Sequence, residues 1–269
     1  MQNKAAATDL TETGPTQAKA GPTYQAPALE KGLAILELLA SVDQPLSRTD
    51  IARRLNRSVG EIYRMLHQLV QQNYVTSDGE HYFLTTKLFE LAHQHPPTQR
   101  LLSEALPLMQ ALAAKVDQSC HLTLYNQGKQ IVVAKVDVPS GMGFSVRLGS
   151  ELDVLVSASG RVLIAFQDAS TQAQRMEECA QREPEIDLAA TEAALGRIRT
   201  AGYEAAPSGQ VRGLFAISFP ILDLRHTALA ALTVPYADRI DLKGRATISD
   251  VEAALGETAR MLTARVSGK

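Results

Sequence analysis

A chain of 269 residues has room for two modest domains, and its 45% hydrophobic content is enough to give each a core. No run approaches the roughly 20 apolar residues of a membrane helix, and the first residues lack the basic and apolar blocks of a secretion signal, so a folded cytoplasmic protein is expected. A net charge of −2 argues against a protein that coats nucleic acid, and Cys120 and Cys179 have neither a CxxC partner nor a histidine spacing that suggests zinc or a disulfide framework.

Residues 1–27, rich in Ala, Thr, Gly and Pro, read as a disordered tail. Leu29, Leu33, Leu36 and Leu39 then recur at helical spacing over 28–42, and Asp43-Gln-Pro45 ends that helix. The stretch from Leu46 to Tyr82 carries the clearest message. Ser47 is placed to cap a short helix, with Asp50 three residues on and Ile51, Ala52 and Leu55 on its inner face. After the turn Asn56-Arg57-Ser58, Ile62, Leu66 and Leu69 fall at i, i+4 and i+7 of a second helix, and Asp78-Gly79 then joins two short strands. Helix, turn, helix and hairpin in that order predict a winged helix-turn-helix with the hairpin as wing.

Such a domain reads DNA with its second helix. Gly60, Glu61, Tyr63, Arg64 and His67 lie on or beside the face left open, with Ser58 at its start, and Arg64 is the best single candidate for a base edge. Arg48, Arg53, Arg54 and Arg57 are suited to phosphates. Residues 48–67 hold five arginines against two acids, an excess of three positive charges in a chain that is negative overall. For each arginine taken singly a solvated helix face is the plain alternative.

Residues 85–95 read as a short helix that the run His95-Pro96-Pro97 must break, which sets the domain boundary: a DNA-binding domain over 28–95, a linker helix over 96–118 that kinks at Pro107, and a third part over 119–269. That third part predicts strands over 121–126, 130–137 and 143–148, the first two joined at Gln127-Gly128-Lys129, then helices over 158–166, 171–182 and 187–201, the last closed by Gly202. Strands over 215–222 and 228–234 and a final helix over 245–266 complete an α+β domain.

In this order and spacing, six blocks make the chain resemble the IclR family of bacterial transcription regulators from Ala28 onward: Ala28-Leu-Glu-Lys-Gly-Leu-Ala-Ile-Leu36, Ile51-Ala-Arg-Arg-Leu55, Ile62-Tyr-Arg-Met-Leu66, Tyr82-Phe-Leu-Thr85, Ser157-Ala-Ser-Gly-Arg-Val-Leu-Ile-Ala165, and Gly202-Tyr203 followed by Gly213 to Pro220. The resemblance implies an N-terminal winged helix-turn-helix, a C-terminal mixed α/β effector domain of GAF or profilin-like type, assembly as a homodimer or dimer of dimers, and an organic, aromatic or sugar acid as effector. Repression and activation both fit it. The chain departs from the family in two places. Its recognition helix opens with Ser58-Val59-Gly60-Glu61 in place of a Pro-Lys-Ser-Thr-like run, which implies a different operator. In the effector domain Leu155, Arg161, Ala216, Thr233 and Pro235 stand where His, Lys, Cys, Ser and Ser are usual, so polar lining is lost.

An acid-binding cavity needs a few donors among apolar walls, often the amides that open a helix. Ser157-Ala158-Ser159-Gly160 offers those amides, with either serine able to cap. The resemblance gives Thr233 a ligand-contacting position, with Ser218 its neighbour. Ser208 and Gln210 are placed to close one side, and Val146 and Leu155 to form apolar wall. His121, Arg147 and Arg161 are further candidates for a carboxylate, against a surface or salt-bridged role for each. No GxSxG, HExxH, P-loop or dinucleotide glycine motif is present, so neither an enzyme, a metal nor a cofactor is expected. The alternative is a winged-helix module that binds proteins without sequence-specific DNA binding, favoured by Glu61 on a face that would meet phosphates.

Overall fold

The computed structural model describes residues 26–268 apart from 183, 184, 186, 240, 242 and 243. The tail expected over 1–27 therefore lies outside the described residues up to position 25. The chain divides into two compact units between Leu91 and Ala92.

The first unit opens with α1 (Pro27–Ala40), which has Pro27 in its first turn, where a missing N–H costs nothing. The two-residue strand β1 (Leu46–Ser47) leads into α2 (Arg48–Arg54), where Ser47 Oγ accepts from the Asp50 amide at 3.1 Å as a cap. Asn56, with φ of 51°, turns the chain into α3 (Val59–Gln71). The wing is β2 (Val75–Ser77) and β3 (His81–Leu84), and Asp78 Oδ1 accepts from the Glu80 and His81 amides to close the loop between them. Strand β1 adds to β3 through Leu46↔Tyr82, giving an antiparallel sheet in the order β1-β3-β2. Ile35, Ile51, Ile62 and Leu66 are fully buried in one core, so the helical periodicity of α1 to α3 is what holds the unit together. Helix α4 (Lys87–Gln94) follows the wing.

The second unit begins with α5 (Pro96–Val116), which places its two leading prolines where a helix tolerates them and runs unbroken through Pro107 to a left-handed cap at Asp117. A six-stranded antiparallel sheet follows in the order β6-β5-β4-β9-β8-β7. Its strands are β4 (Cys120–Asn126), β5 (Lys129–Val136), β6 (Glu151–Asp153), β7 (Glu204–Pro207), β8 (Leu214–Leu222) and β9 (Ala228–Ala237). Gln127 and Gly128, both at positive φ, make the two-residue turn between β4 and β5 that matches the twist of a hairpin. Three helices, α6 (Ala158–Ala165), α7 (Ala169–Ala180) and α8 (Leu188–Ala201), precede β7, and α9 (Ile248–Val266) ends the chain. Leu122, Leu232 and Val234 point to one sheet face, where they bury against α5 and α9. Thr233 and Ala231 point to the other, which α6 covers.

One expected strand is absent, and β1, β6 and β7 add to those expected. Residues 143–148 form no strand: Phe144 and Val146 alternate with Ser145 and Arg147 because they line a cavity, while Ser145 bonds Asp137 and Arg147 is exposed. Strand β7 was not expected, since Glu-Ala-Ala-Pro carries neither β-branched nor aromatic residues, and it exists through its ladder with β8.

Candidate nucleic-acid surface and effector cavity

Helix α3 is anchored by its buried stripe and leaves Ser58, Val59, Gly60, Tyr63, Arg64 and His67 exposed. Its first turn holds a complete capping box, in which Ser58 Oγ accepts from the Glu61 amide at 3.3 Å and Glu61 Oε2 accepts from the Ser58 amide at 3.2 Å. The other carboxylate oxygen of Glu61 meets Lys31 Nζ of α1 at 2.5 Å. Lys31 and these caps hold the Glu61 carboxyl down at about 2. Its charge is thus answered within the domain, which removes the observation that favoured a protein partner. The pattern Ser-x-x-Glu was present in the sequence and is the signal that would have found the box.

The remaining polar groups sort by what they touch. Arg48 stacks over the Tyr63 ring at 5.2 Å, and Tyr63 stacks on His67 at 6.3 Å, so these three form one exposed cluster. Arg53 is tied to Asp50 at 2.5 Å, and Arg57 lies 3.7 Å from Glu30, a long exposed pair of little energetic weight. Arg54 and Arg64 are exposed, and Arg64 has no hydrogen bond or ion pair among the described residues. Gly60 is exposed too, and a methyl group there would meet nothing within 4 Å. Nothing among the described residues explains a helical glycine at that point.

The second unit contains a cavity of about 260 Å³ between the sheet and the start of α6. Ser157, Ser159, Ser208, Gln210, Thr233 and Val146 line it, as expected from the sequence. Ser157 is the helix cap: its Oγ accepts from the Gly160 amide at 3.1 Å and from Gln130 Nε2 at 2.5 Å, and donates to Asp153 O at 2.6 Å. That leaves the Ala158 and Ser159 amides with no acceptor among the described residues, as the first donors of a helix are. Thr233 Oγ1 shares a 2.8 Å hydrogen bond with Ser218 Oγ.

Three expected lining residues are not there. Leu155 packs into the core between α6, α7 and the sheet. Ser218 is fully buried behind Thr233. Gly160 approaches the backbone of Val154 so closely that a Cβ would sit 2.0 Å from its carbonyl oxygen, so this glycine serves packing and its amide serves the cap. Arg147 is exposed outside the cavity. Arg161 lines the cavity but is engaged elsewhere: it holds Glu204 through Nε and Nη2 at 2.9 and 2.5 Å and donates from Nη1 to the carbonyls of Leu155 and Val156. Burial pushes the Glu204 carboxyl above its usual range, and the Arg161 guanidinium pulls it back in part.

Phe144, Leu152 and Leu214 form much of the apolar wall, with no signal in the sequence that pointed to them, while Pro235 and Ala216 stand in the lining as the resemblance implies. The sequence offers His121 as a carboxylate contact against a surface or salt-bridged role. The structure buries His121 to 5% exposure on β4, in register with Thr233, where it lines the cavity. Burial holds its imidazole down at about 4. The alternation of β4 about Leu122 was the available signal, because it places His121 on the face opposite the α5 core. Cys120 is buried, with its thiol pushed up to about 12, and is no nucleophile. No helix among the described residues is long and apolar enough to cross a membrane.

Comparison with known proteins agrees with both units. A model described as the IclR helix-turn-helix domain matches residues 28–79, and one described as the bacterial transcriptional regulator IclR C-terminal region matches residues 96–264. The HTH-type transcriptional regulator KdgR of Escherichia coli (strain K12) is 27% identical over 212 residues, covering 77% of this chain and 80% of the relative. The Pca regulon regulatory protein of Pseudomonas putida is 24% identical, covering 77% and 73%. Among solved structures, an IclR homolog from Microbacterium hydrocarbonoxydans complexed with 4-hydroxybenzoate shares the fold with a TM-score of 0.74, 21% identity and coverage of 90% of this chain and all of that one. The chain belongs to the IclR family of bacterial transcription regulators, with a DNA-binding helix-turn-helix followed by a ligand-binding domain, and is not an enzyme.

Proposed function

We propose that this regulator binds operator DNA through α3 and the wing, and that a small organic or aromatic carboxylate held in the α6 cavity alters that binding. The observation that carries the reading is the cavity itself: about 260 Å³, walled by Phe144, Leu152 and Leu214, and lined also by Thr233 and by Ala158 and Ser159, whose amides open α6 with no acceptor among the described residues. Oriented amides at a helix N-terminus suit a carboxylate, and the apolar wall suits a short hydrocarbon or ring. The volume lies below the usual range of about 300–1,000 Å³, which selects a small ligand. The similar solved structure holds 4-hydroxybenzoate, an acid of this class.

On the DNA side, Arg64 reads bases, Gly60 lets the helix approach closely, and Arg48, Arg54 and Arg57 contact phosphates while Ser58, Tyr63 and His67 complete the surface. Glu61 acts indirectly, by holding the first turn of α3 in shape. The working unit is a cytoplasmic homodimer or dimer of dimers, in which the effector binds one spacing of two recognition helices better than another. Without such a difference in affinity nothing shifts. The test is fluorescence anisotropy with DNA fragments from upstream of the protein's own gene and its neighbours, in excess competitor DNA, with and without a panel of carboxylic acids. Specific binding changed by one acid is the expected result. Absence of specific binding to any fragment would transfer the reading to protein recognition.

A further inference from the structure

One row of side chains crosses the sheet beneath α6, and its members His121 and Thr233 line the cavity. Cross-strand register aligns Lys135 of β5, His121 of β4, Thr233 of β9, Ser218 of β8 and Glu204 of β7 on the face that α6 covers. Four of the five have partners. Lys135 Nζ lies 2.8 Å from Asp137 Oδ1, Thr233 and Ser218 bond each other, and Glu204 is held by Arg161. His121 has no hydrogen bond to any described residue, yet its nitrogens are not among the fully enclosed, unpartnered atoms, so they open onto the cavity.

We propose, on the basis of the effector reading above, that the cavity takes up its carboxylate together with one proton from water, and that His121 holds that proton as the ligand's counter-charge. The ionic groups facing the imidazole are otherwise neutralised in pairs: Lys135 by Asp137 from the β5 side, and Arg161 by Glu204 from the α6 side. Asp153, which does not line the cavity, is approached by Gln210 Nε2 at 3.4 Å. From β9 and β8 the neighbours Thr233 and Ala216 carry no charge. An anion entering a small apolar space with no net positive charge loses hydration without a charged partner, which is costly. In the step itself a nitrogen lone pair of the neutral imidazole accepts a proton from the solvent, while the ligand keeps its carboxylate charge.

The empty cavity disfavours the protonated imidazole through burial, whereas a bound carboxylate favours it. The proton is therefore taken up on binding over the pH range between the two states of His121, and released when the ligand leaves. Within that range Kd tightens by about tenfold for each unit fall in pH.

Isothermal titration calorimetry of the full-length protein with benzoate, 4-hydroxybenzoate and pyruvate, in two buffers of very different ionisation enthalpy between about pH 6 and 8, decides the matter. The expected result is an apparent enthalpy that depends on the buffer as uptake of up to one proton per site requires, with affinity rising as pH falls. His121→Gln and His121→Asn, checked for fold by thermal melting, should bind more weakly and lose both the buffer effect and the pH dependence. Carboxylate binding by the wild type with no proton uptake overturns the proposal and leaves the effector reading standing. Uptake that survives in a folded His121→Gln protein overturns the assignment to His121. Failure of every carboxylate in the panel to bind overturns the effector reading, and the proposal with it.

Discussion

Arg64 and Gly160 show how differently a single position can matter. Arg64 is exposed on α3 and has no hydrogen bond or ion pair among the described residues, so truncating it removes nothing from the folded domain. Arg64→Ala should weaken binding to the cognate operator by about 1–3 kcal/mol while hardly changing binding to random DNA, which competition anisotropy would resolve. Equal losses on both sequences would remove Arg64 as a base reader. Gly160 is the reverse case. A Cβ there would lie 2.0 Å from Val154 O and 2.4 Å from its Cα, both backbone atoms that cannot swing aside. Gly160→Ala should therefore cost about 1–3 kcal/mol or more, visible as a lowered melting temperature of the purified protein. An unchanged melting temperature would mean that the 154–160 segment relaxes freely.

At the scale of an element, α3 carries two opposed demands on one turn. Gly60 costs helix stability relative to alanine, and its missing side chain faces open space. Gly60→Ala should raise stability by about 0.5–1 kcal/mol and, under the proposed binding mode, weaken operator binding, since the added methyl would come between α3 and the DNA. Stability and affinity moving together would argue against close approach at this point. Glu61, one residue on, supplies a pH dependence. Its carboxyl titrates at about 2 in the folded protein against about 4.3 in an unfolded chain, so its contribution is complete above the unfolded value and fades as pH falls toward the folded one. The melting temperature of the wild type should exceed that of Glu61→Gln near neutral pH, and the gap should close in acid.

Helices were the legible elements, because caps and buried stripes are local. Ser47, Ser157 and Gly202 each mark an end that the structure keeps. What depends on partners distant in sequence was harder to read. Strand β7 exists only through β8, and the alternation at 143–148 reflects the cavity rather than a ladder. The same holds for the site. Ser157, Ser159 and Thr233 could be placed from a helix start and a strand, whereas the roles of His121 and Arg161 follow from Thr233 and Glu204, respectively 112 and 43 positions further along the chain.

For the whole molecule, charge is distributed against its sum. With −2 overall and +3 within residues 48–67, the remaining residues carry −5. The helix-turn-helix segment is thus positive in a chain that is otherwise negative, and affinity for DNA should fall steeply with salt. Arg54→Ala should reduce the slope of log affinity against log salt by about 0.9 per protomer and weaken specific and random DNA alike, as measured by anisotropy across a salt series. A slope unchanged by the substitution would place Arg54 away from phosphate. The core of the first unit, around Ile51 and Ile62, and the two cores of the second, around Leu122 and Leu232 and around Leu163 and Leu195, are built from separate stretches of chain.

The row of Lys135, His121, Thr233, Ser218 and Glu204 also bears on how such proteins diversify. Because strand side chains alternate, each of these positions can change while its neighbours Leu122, Ala134, Ile217, Leu232 and Val234 keep the opposite face packed on α5 and α9. A duplicated gene can thus acquire a new effector by substitutions at His121 and Thr233, the two of the row that line the cavity, with no insertion and no compensating change in the packed face.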